Sequence, residues 1–520
     1  MTNRAVSTGP YLAYFVVFAA MAVWTASHLF PPVNLDVGAL LYIAARWVAG
    51  DRLYIDVIDP NTPWAIALHV PAVVSADLFG LDAPTWFSIY VVAAIVAALG
   101  LSHLVLKPAG TSALTLVKLA LPMAGLFVLG VLPGSSFGQR EHLLLIGAFP
   151  YLVLAGLRAD GMPVGLPLKL AVAVFAGLAF AIKPYFVFPL VLVEAYLLIR
   201  RGPRATFSDP VPWTIGGLLV LHVVLAVLLT PQYFSFILPF AAATYENPLA
   251  GIRHAWGLLL GPDLGAITVI LPVLTLFAFF WRGSSVPRAI ALFAIGMTFA
   301  AVVQGKGWDY QALPAVAGTL LLGLALVAAV IERYGVGSTE ATAGAAALVA
   351  ACLMLPMILQ AGLRLRPFRE QMDFSASDAG RWLQFLDARA GNHRTMVLSD
   401  GMYPQFPAIT YAEYKMTMPF LTMWPLAGLY DTCEAGGPRY RPIAAQTPAE
   451  AFVYKTVVDG FVTEKPDFLV IDRHPGIPSC AGQDFDYLTY FMRSDRFASA
   501  FRNYHRLATL EDRYDFFVPN

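Results

Sequence analysis

The stretch PPVNLDVGALLYIAARWVAGDRLYIDVIDPNTPW (31–64) is the part of the chain around which the fold prediction is built. It directly follows the first hydrophobic segment. It carries four acidic residues, although charged residues make up only 13% of the chain. Charged side chains are costly near lipid, so acidic residues just outside a membrane helix predict a functional site. These residues are Asp36, Asp51, Asp56 and Asp59.

The composition indicates the class of protein. The chain has 520 residues, of which 58% are hydrophobic, and its mean hydropathy is +0.64. Soluble domains are about 45–50% apolar, so this composition predicts a mainly α-helical, polytopic membrane protein. The formal net charge is +0, which gives no indication of a nucleic-acid partner.

Eleven hydrophobic segments approach the length of about 20 residues that a membrane-spanning helix needs. A further segment at 62–80 is ambiguous, and the basic loops decide its interpretation. With the N-terminus in the cytoplasm and 62–80 dipping into the outer leaflet without crossing, every basic loop lies inside, as the positive-inside rule requires. The chain is therefore predicted to cross the membrane about eleven times and to end outside. The segments are 11–30, 85–106, 112–132, 142–158, 167–182, 184–200, 212–230, 262–281, 287–303, 311–331 and 341–362.

After the last hydrophobic segment the composition becomes polar, and short elements alternate. An amphipathic helix is predicted with Ser375 or Ser377 as its cap. Residues 394–400 and 467–473 are typical of short buried strands, each with an Asp at or next to its end, and 505–519 is typical of a terminal hairpin.

These patterns divide the chain into two predicted domains. The first, 1–362, is a transmembrane bundle with the outer loop 31–64, and the second, 363–520, is a small α/β domain on the outer side. Cys433 and Cys480 both lie in the second domain. An oxidising compartment would permit a disulfide between them, and two unpaired thiols are the alternative.

Asp36 lies just before the amphipathic segment GALLYIAARWVAG. This segment is predicted to form an interfacial helix, with its apolar side against lipid or protein and Arg46 toward water. Asp36 is then either a helix cap, which the helix dipole favours, or a catalytic carboxylate.

Asp56 and Asp59 precede two prolines in YIDVIDPNTPW. They are predicted either to cap neighbouring groups in a proline-rich turn or to form a polar floor for a sugar or a cation.

The segment SSFGQREHLLL places four polar residues at the mouth of a hydrophobic helix. Packing does not explain them. Adjacent Glu and His residues contain metal-ligating groups, but neighbouring residues on a helix point in different directions, so the metal signal is weak. These residues are Gln139, Arg140, Glu141 and His142.

Two lysines lie where a lysine is unexpected. Lys183 and Pro184 interrupt a hydrophobic run, and a lysine there needs an anion or a route to water. In QGKGWDYQALP, Lys306 lies between two glycines, which suits the close approach of a phosphate. Trp308 and Tyr310 fit an aromatic belt at the membrane surface.

Taken together, these features resemble the type C glycosyltransferases of the inner membrane, such as aminoarabinose transferases and protein O-mannosyltransferases. The resemblance lies in the helix followed by the Asp36 loop, in DVIDPNTPW, in FGQREHLLLIGAFPYL and in KGWDYQALPA, and it covers about 11–331. It implies an enzyme that transfers a sugar from a polyprenyl-phosphate donor at the outer face of a bacterial inner membrane. The outer loop 31–64 would then be catalytic, and the domain 363–520 would be periplasmic.

The resemblance also implies roles for individual residues. Asp36 matches the catalytic base, and Glu141 matches a second acidic residue that often holds a metal. Many members have a second acidic residue directly after the first, whereas Val37 follows here, so a divalent cation is an option and not a requirement. The candidates for the lipid phosphate are Lys306, Arg140 and Lys183, and those for the substrate pocket are Asp56, Asp59, Glu141, His142, Trp308 and Tyr310.

The residue types suit this chemistry. A polyprenyl phosphate departs as a stabilised anion, so one carboxylate base and cations on the phosphate form a sufficient minimal set. Hexosyl and pentosyl donors fit equally well, as do glycan, lipid and protein acceptors. A transporter or flippase of a lipid-linked saccharide and a glycan ligase or polymerase are the alternatives, and the absence of an internal repeat argues against a transporter.

Overall fold

The computed structural model describes residues 9–107, 115–244, 257, 261, 265–333, 344–346, 348–352, 374–389, 394–430, 439–475 and 485–520. Backbone contacts group the chain into two units. The first unit comprises Met1–Phe30, Phe87–Val224 and Leu249–Gln371, and the second comprises Pro31–Trp86, Leu225–Pro248 and Met372–Asn520.

The described chain up to residue 333 is dominated by α-helices. They are α1 (Gly9–Ser27), α2 (Leu35–Val48), α3 (Pro63–Ala67), α4 (Val70–Phe79), α5 (Ala83–Leu106), α6 (Thr115–Leu126), α7 (Arg140–Ala159), α8 (Leu166–Phe180), α9 (Val187–Arg201), α10 (Pro203–Phe207), α11 (Pro210–Leu229), α12 (Leu238–Thr244), α13 (Gly265–Phe280), α14 (Val286–Gln304) and α15 (Asp309–Arg333).

Ten of the eleven predicted hydrophobic segments coincide with these helices, and most of 341–362 lies outside the described residues. Within the part that the structure describes, six helices are long and apolar enough to cross a membrane: α1, α5, α7, α11, α14 and Asp309–Val330 of α15. This confirms the mainly helical, membrane-type fold, while the number of crossings and the orientation stay predictions. The ambiguous segment 62–80 forms the two short helices α3 and α4.

Helix α7 is the central helix of the first unit, with 94% of its most apolar stretch buried. It packs against α8, α9, α14 and α15. Two glycines allow this close packing. A Cβ on Gly147 would lie 2.3 Å from Ala179 Cβ, and one on Gly156 would lie 2.5 Å from Val286 Cα. Larger side chains at these positions would therefore separate α7 from its neighbours.

The carboxyl end of α7 lies in a network of buried ion pairs. Arg158 Nη1 donates to Glu194 Oε1 at 2.8 Å, and Arg158 Nε donates to Asp209 Oδ2 at 3.0 Å. Asp209 also accepts from Arg201 at 2.8 Å and lies 3.6 Å from Lys169. The charges are thus paired inside the fold, as buried charges must be. Glu194 is thus held by its ion pair with Arg158.

The second unit contains a five-stranded sheet with the order β2-β1-β3-β5-β4. Strand β1 pairs in parallel with β2 and β3, and β5 is antiparallel to both β3 and β4. The strands are β1 (Arg394–Leu398), β2 (Lys415–Met416), β3 (Phe468–Asp472), β4 (Tyr504–Leu510) and β5 (Tyr514–Pro519). The two buried strands and the terminal hairpin were predicted from the sequence.

Six α-helices accompany the sheet in the described residues. Ser377 caps the first of them, since its hydroxyl accepts from Gly380 N at 3.0 Å, as one of the two sequence alternatives predicts. The helices are α16 (Asp378–Asp387), α17 (Gln405–Ala412), α18 (Trp424–Tyr430), α19 (Pro448–Glu464), α20 (Tyr487–Phe491) and α21 (Asp495–Phe501).

Helix α2 is the segment predicted as an interfacial helix with lipid or protein against its apolar side, and only the direction of Arg46 differs from the prediction. Its residues from Val37 to Ala44 are buried within the second unit, where it packs against α4 and α17. Arg46 does not point to water, because its side chain is 11% exposed and pairs with Asp51 at 2.5 Å. The apolar side of this segment is therefore covered by protein.

Two sequence predictions fall on positions that are not described. The predicted domain boundary near residue 363, together with Cys433 and Cys480, lies outside the described residues. The boundary and the disulfide stay predictions.

Candidate functional site: a buried cation cluster and the Asp36 loop

The amino end of α7 holds an ion pair that the fold buries. Lys183 Nζ donates to Glu141 Oε1 at 2.5 Å, and the Glu141 side chain is 0% exposed. Lys183 reaches it because the chain is extended there, between the end of α8 and the 3-10 turn that begins at Pro184. Proline cannot continue the backbone hydrogen bonding of a helix. The break predicted from the sequence is thus what brings the lysine to Glu141.

The segment that joins α14 to α15 also contacts the Lys183–Glu141 ion pair. Gln304 Oε1 accepts from Lys183 Nζ at 3.3 Å and from Gln311 Nε2 at 3.3 Å. Both glutamines lie within the segment that the sequence singled out, but neither was predicted as a site residue. The sequence signal that could have identified them is their spacing of seven residues across a Gly-Lys-Gly turn.

Lys306 lies in a turn between two glycines in the left-handed conformation. Gly305 has φ 65° and Gly307 has φ 71°, a conformation that glycine adopts without a steric penalty. The ammonium group lies 4.7 Å from the centre of the Trp308 ring. Its pKa is lowered from 10.5 to about 7, first because it is buried and then because Lys183 and Arg140 repel its charge.

Tyr310 lies between two of these cations. Its ring centre is 5.4 Å from Lys183 Nζ and 5.9 Å from Arg140 Cζ, within the range of a cation–π contact. We call Arg140, Lys183 and Lys306, with Glu141 and Tyr310, the cation cluster. All five are predicted site residues, and the structure brings them together.

His142 points away from Glu141, as adjacent positions on a helix predict. Gly138 N donates to its Nδ1 at 2.9 Å, so Nε2 carries the proton and donates to Leu129 O at 2.7 Å. Both ring nitrogens therefore bond the backbone. Among the described residues, no group of three His, Cys, Asp or Glu side chains is placed to hold a metal ion, and a divalent cation stays a prediction.

Asp36 lies in the first turn of α2, in the second unit. The structure assigns the capping role to its neighbour, because Asn34 Oδ1 accepts from Asp36 N at 2.8 Å. Asp36 itself is therefore not the cap that was one of the two sequence alternatives. The Asn34 cap was missed, although Asn is among the residues most favoured at that position.

Asp56 and Asp59 are bonded within their own loop. Asp56 accepts from Arg52 Nε at 3.0 Å and from Arg52 N at 2.8 Å, and these hydrogen bonds hold its pKa below the usual value. Asp59 Oδ1 accepts from Asn61 N and from Asn61 Nδ2 at 2.8 and 2.7 Å. These contacts match the turn interpretation. A role in the substrate pocket stays a prediction.

Comparison with known proteins shows the fold. No protein-family model and no curated protein sequence matches the chain. The crystal structure of ArnT from Cupriavidus metallidurans bound to undecaprenyl phosphate matches it with a TM-score of 0.56 and 14% identity, over 98% of this chain and 98% of that chain. The apo structure of the same protein matches with a TM-score of 0.56 and 13% identity, over 99% and 98%. The chain therefore has the fold of ArnT, which is the fold that the sequence resemblance implied.

Proposed function

We propose that this protein is an inverting membrane glycosyltransferase that moves a sugar from a polyprenyl-phosphate donor to an acceptor hydroxyl. The observation that carries the proposal is the cation cluster, in which Lys183 and Lys306, both partly buried, lie near the buried Arg140. Three cations beside the single carboxylate of Glu141 create a positive potential that favours binding of a further anion. The likeness to a fold solved with undecaprenyl phosphate supports a lipid phosphate as that anion.

Each cation has a distinct part in binding the donor phosphate. Arg140 can hold two phosphate oxygens at once, whereas a lysine acts as a point charge. Lys306 lies between glycines, so the backbone leaves room for the phosphate to approach closely. Lys183 is held in place by its bond to Glu141 at 2.5 Å.

Asp36 is proposed as the general base. Its carboxylate takes the proton of the acceptor hydroxyl as the oxygen attacks the anomeric carbon. The bond between that carbon and the phosphate oxygen breaks, and the polyprenyl phosphate leaves with the electron pair. Attack opposite to the leaving group inverts the anomeric configuration. The cations stabilise the charge that develops on the phosphate, so no general acid is needed.

The first experiment measures transfer by the purified full-length chain. Asp36→Asn is expected to lower kcat about 10²- to 10⁴-fold, which is the usual contribution of a general base. The matched control is Asp459→Asn, because Asp459 pairs with exposed lysine and arginine side chains. Near-normal kcat in Asp36→Asn would contradict the base assignment.

The second experiment measures donor binding. Lys306→Ala is expected to raise the donor KM about tenfold or more, since a hydrogen bond to a charged group contributes about 1.5–3 kcal/mol. Lys455→Ala is the control, because that lysine is 80% exposed. An unchanged donor KM would remove Lys306 from the phosphate site. Donor binding without release of polyprenyl phosphate would favour a flippase.

A further inference from the structure

The C-terminal domain holds the helix that carries Asp36. Residues 406–416 run from α17 into β2 and lie along α2. We call this segment the clasp. All contacts between the clasp and α2 lie within the second unit. Asp36 is therefore positioned by residues that follow it by some 370 positions in the chain.

The clasp brackets Asp36 with two hydrogen bonds. On one side, the Tyr411 hydroxyl accepts from Val33 N at 3.2 Å. On the other side, Thr410 Oγ1 donates to Gly38 O at 2.8 Å. Both partners on the α2 side are backbone atoms, within three residues of Asp36. The bonds thus fix the path of the main chain at the start of α2.

Close packing reinforces these bonds. A Cβ on Gly38 would lie 3.0 Å from Pro407 Cβ and 3.1 Å from Pro407 Cα. Those distances are tighter than ordinary contacts, and one of the two atoms belongs to the backbone, which cannot rotate away. Gly38 therefore lets α2 approach the clasp more closely than any other residue would.

Further along the helix, the clasp connects α2 to the edge of the sheet. The Tyr42 hydroxyl accepts from Met416 N at 2.8 Å, and Met416 belongs to the edge strand β2. The Tyr42 ring lies 5.6 Å from the Phe406 ring. Helix α2 is thus hydrogen-bonded to α17 near its start and to the edge strand β2 through Tyr42.

We infer that the clasp is a positioning element for Asp36, with Thr410 and Tyr411 as its positioning residues. The inference rests on the proposed function, in which Asp36 is the base. A base acts only when it lies within hydrogen-bonding reach of the acceptor proton. A misplacement of about 1 Å costs up to about 10²-fold in rate. The C-terminal domain thereby contributes to the chemical step without touching the substrate.

The structural part of the inference is tested by hydrogen exchange on the full-length protein. Thr410→Val with Tyr411→Phe removes both bracketing bonds and little volume, so amides at 35–42 are expected to exchange at least tenfold faster. Tyr504→Phe is the matched control, because that hydroxyl donates to Pro466 O at 2.9 Å within the same domain. Unchanged exchange at 35–42 in the double variant would overturn the inference.

Glycine variants give an independent test of the same contact. Gly38→Ala is expected to speed exchange at 35–42, because its new Cβ must displace Pro407. Gly100→Ala is the matched control in helix α5, where a Cβ meets nothing within 4 Å. Equal exchange at 35–42 in these two variants would contradict the close approach of α2 and the clasp.

The catalytic part is tested by steady-state kinetics. The double variant is expected to lower kcat about tenfold with donor KM within twofold, since only the geometry of the base changes. Thr410→Ser keeps the donor to Gly38 and should retain wild-type kcat when Tyr411 is intact. In the Asp36→Asn background, Thr410→Val with Tyr411→Phe should not lower kcat any further, because both changes act through the Asp36 carboxylate.

Two outcomes separate the inference from the proposed function. If the double variant lowers kcat further in the Asp36→Asn background, the clasp does not act through Asp36. If the double variant exchanges faster at 35–42 but keeps wild-type kcat, the clasp does not position the base. Either result would overturn the inference and leave the base assignment intact. A wild-type chain without sugar transfer would overturn the proposed function, and with it the catalytic part of the inference. The exchange comparison would then still decide whether the clasp holds α2.

Discussion

Charged side chains surround both ends of helix α7, but the balance between cations and carboxylates differs between the two ends. At the carboxyl end, Arg158 pairs with Glu194 and Asp209, so cations and carboxylates alternate. At the amino end, three cations lie near the single carboxylate of Glu141. Burial in the first place, and then repulsion by Lys183 and Arg140, lowers the pKa of Lys306 to about 7. The charges at the carboxyl end hold the fold together, whereas those at the amino end are proposed to bind the donor phosphate. Under that proposal, one helix carries a structural network at one end and a binding site at the other.

The largest expected effect is at the structural end. Arg158→Ala leaves the buried carboxylates of Glu194 and Asp209 without their shared partner, which is expected to cost about 3–5 kcal/mol of unfolding free energy. The measurement is the thermal unfolding of detergent-solubilised protein. Arg140→Ala is the matched control at the other end of α7, where it removes one of three like charges. Equal losses of thermal stability in Arg158→Ala and Arg140→Ala would contradict the difference between the two ends of α7.

An intermediate effect is expected from the carboxylate of the cation cluster. Glu141→Gln removes the ion pair with Lys183 and leaves the like charges less balanced, so unfolding free energy without ligand should fall by about 2 kcal/mol. Because the cluster then attracts an anion more strongly, added undecaprenyl phosphate should raise Tm more in the variant than in the wild type. A smaller rise in the variant would show that Glu141 itself helps to bind the lipid.

A smaller effect concerns pH. Lys306 is charged below its pKa of about 7 and neutral above it, so phosphate attraction weakens as pH rises through that value. The donor kcat/KM is therefore expected to fall about severalfold between pH 6 and pH 8. Lys306→Arg, whose guanidinium stays charged in this range, should remove the fall. A profile that is the same in both proteins would assign the titration to another group.

Several features were predictable from the sequence because they depend on local patterns. Apolar runs of bilayer length predicted the positions of the long helices, since a span needs about 20 apolar residues. Alternation and capping residues gave β1, β3, the terminal hairpin and the Ser377 cap. Proline after Lys183 gave the break between α8 and α9, because proline lacks the backbone donor that a helix requires. The residues of the cation cluster were found because charge is costly among apolar neighbours.

Other features were decided by the tertiary structure alone. The burial of α2 by the clasp depends on contacts between residues some 370 positions apart, and a helix with one apolar side has the same pattern whether lipid or protein covers it. The partners of Glu141 and Arg158 likewise come from other helices, and nothing local specifies which cation meets which carboxylate. The sequence by itself determined which charges are buried near the membrane segments. Only the packing of distant helices decided which cation meets which carboxylate, as in the Arg158–Glu194 and Lys183–Glu141 pairs.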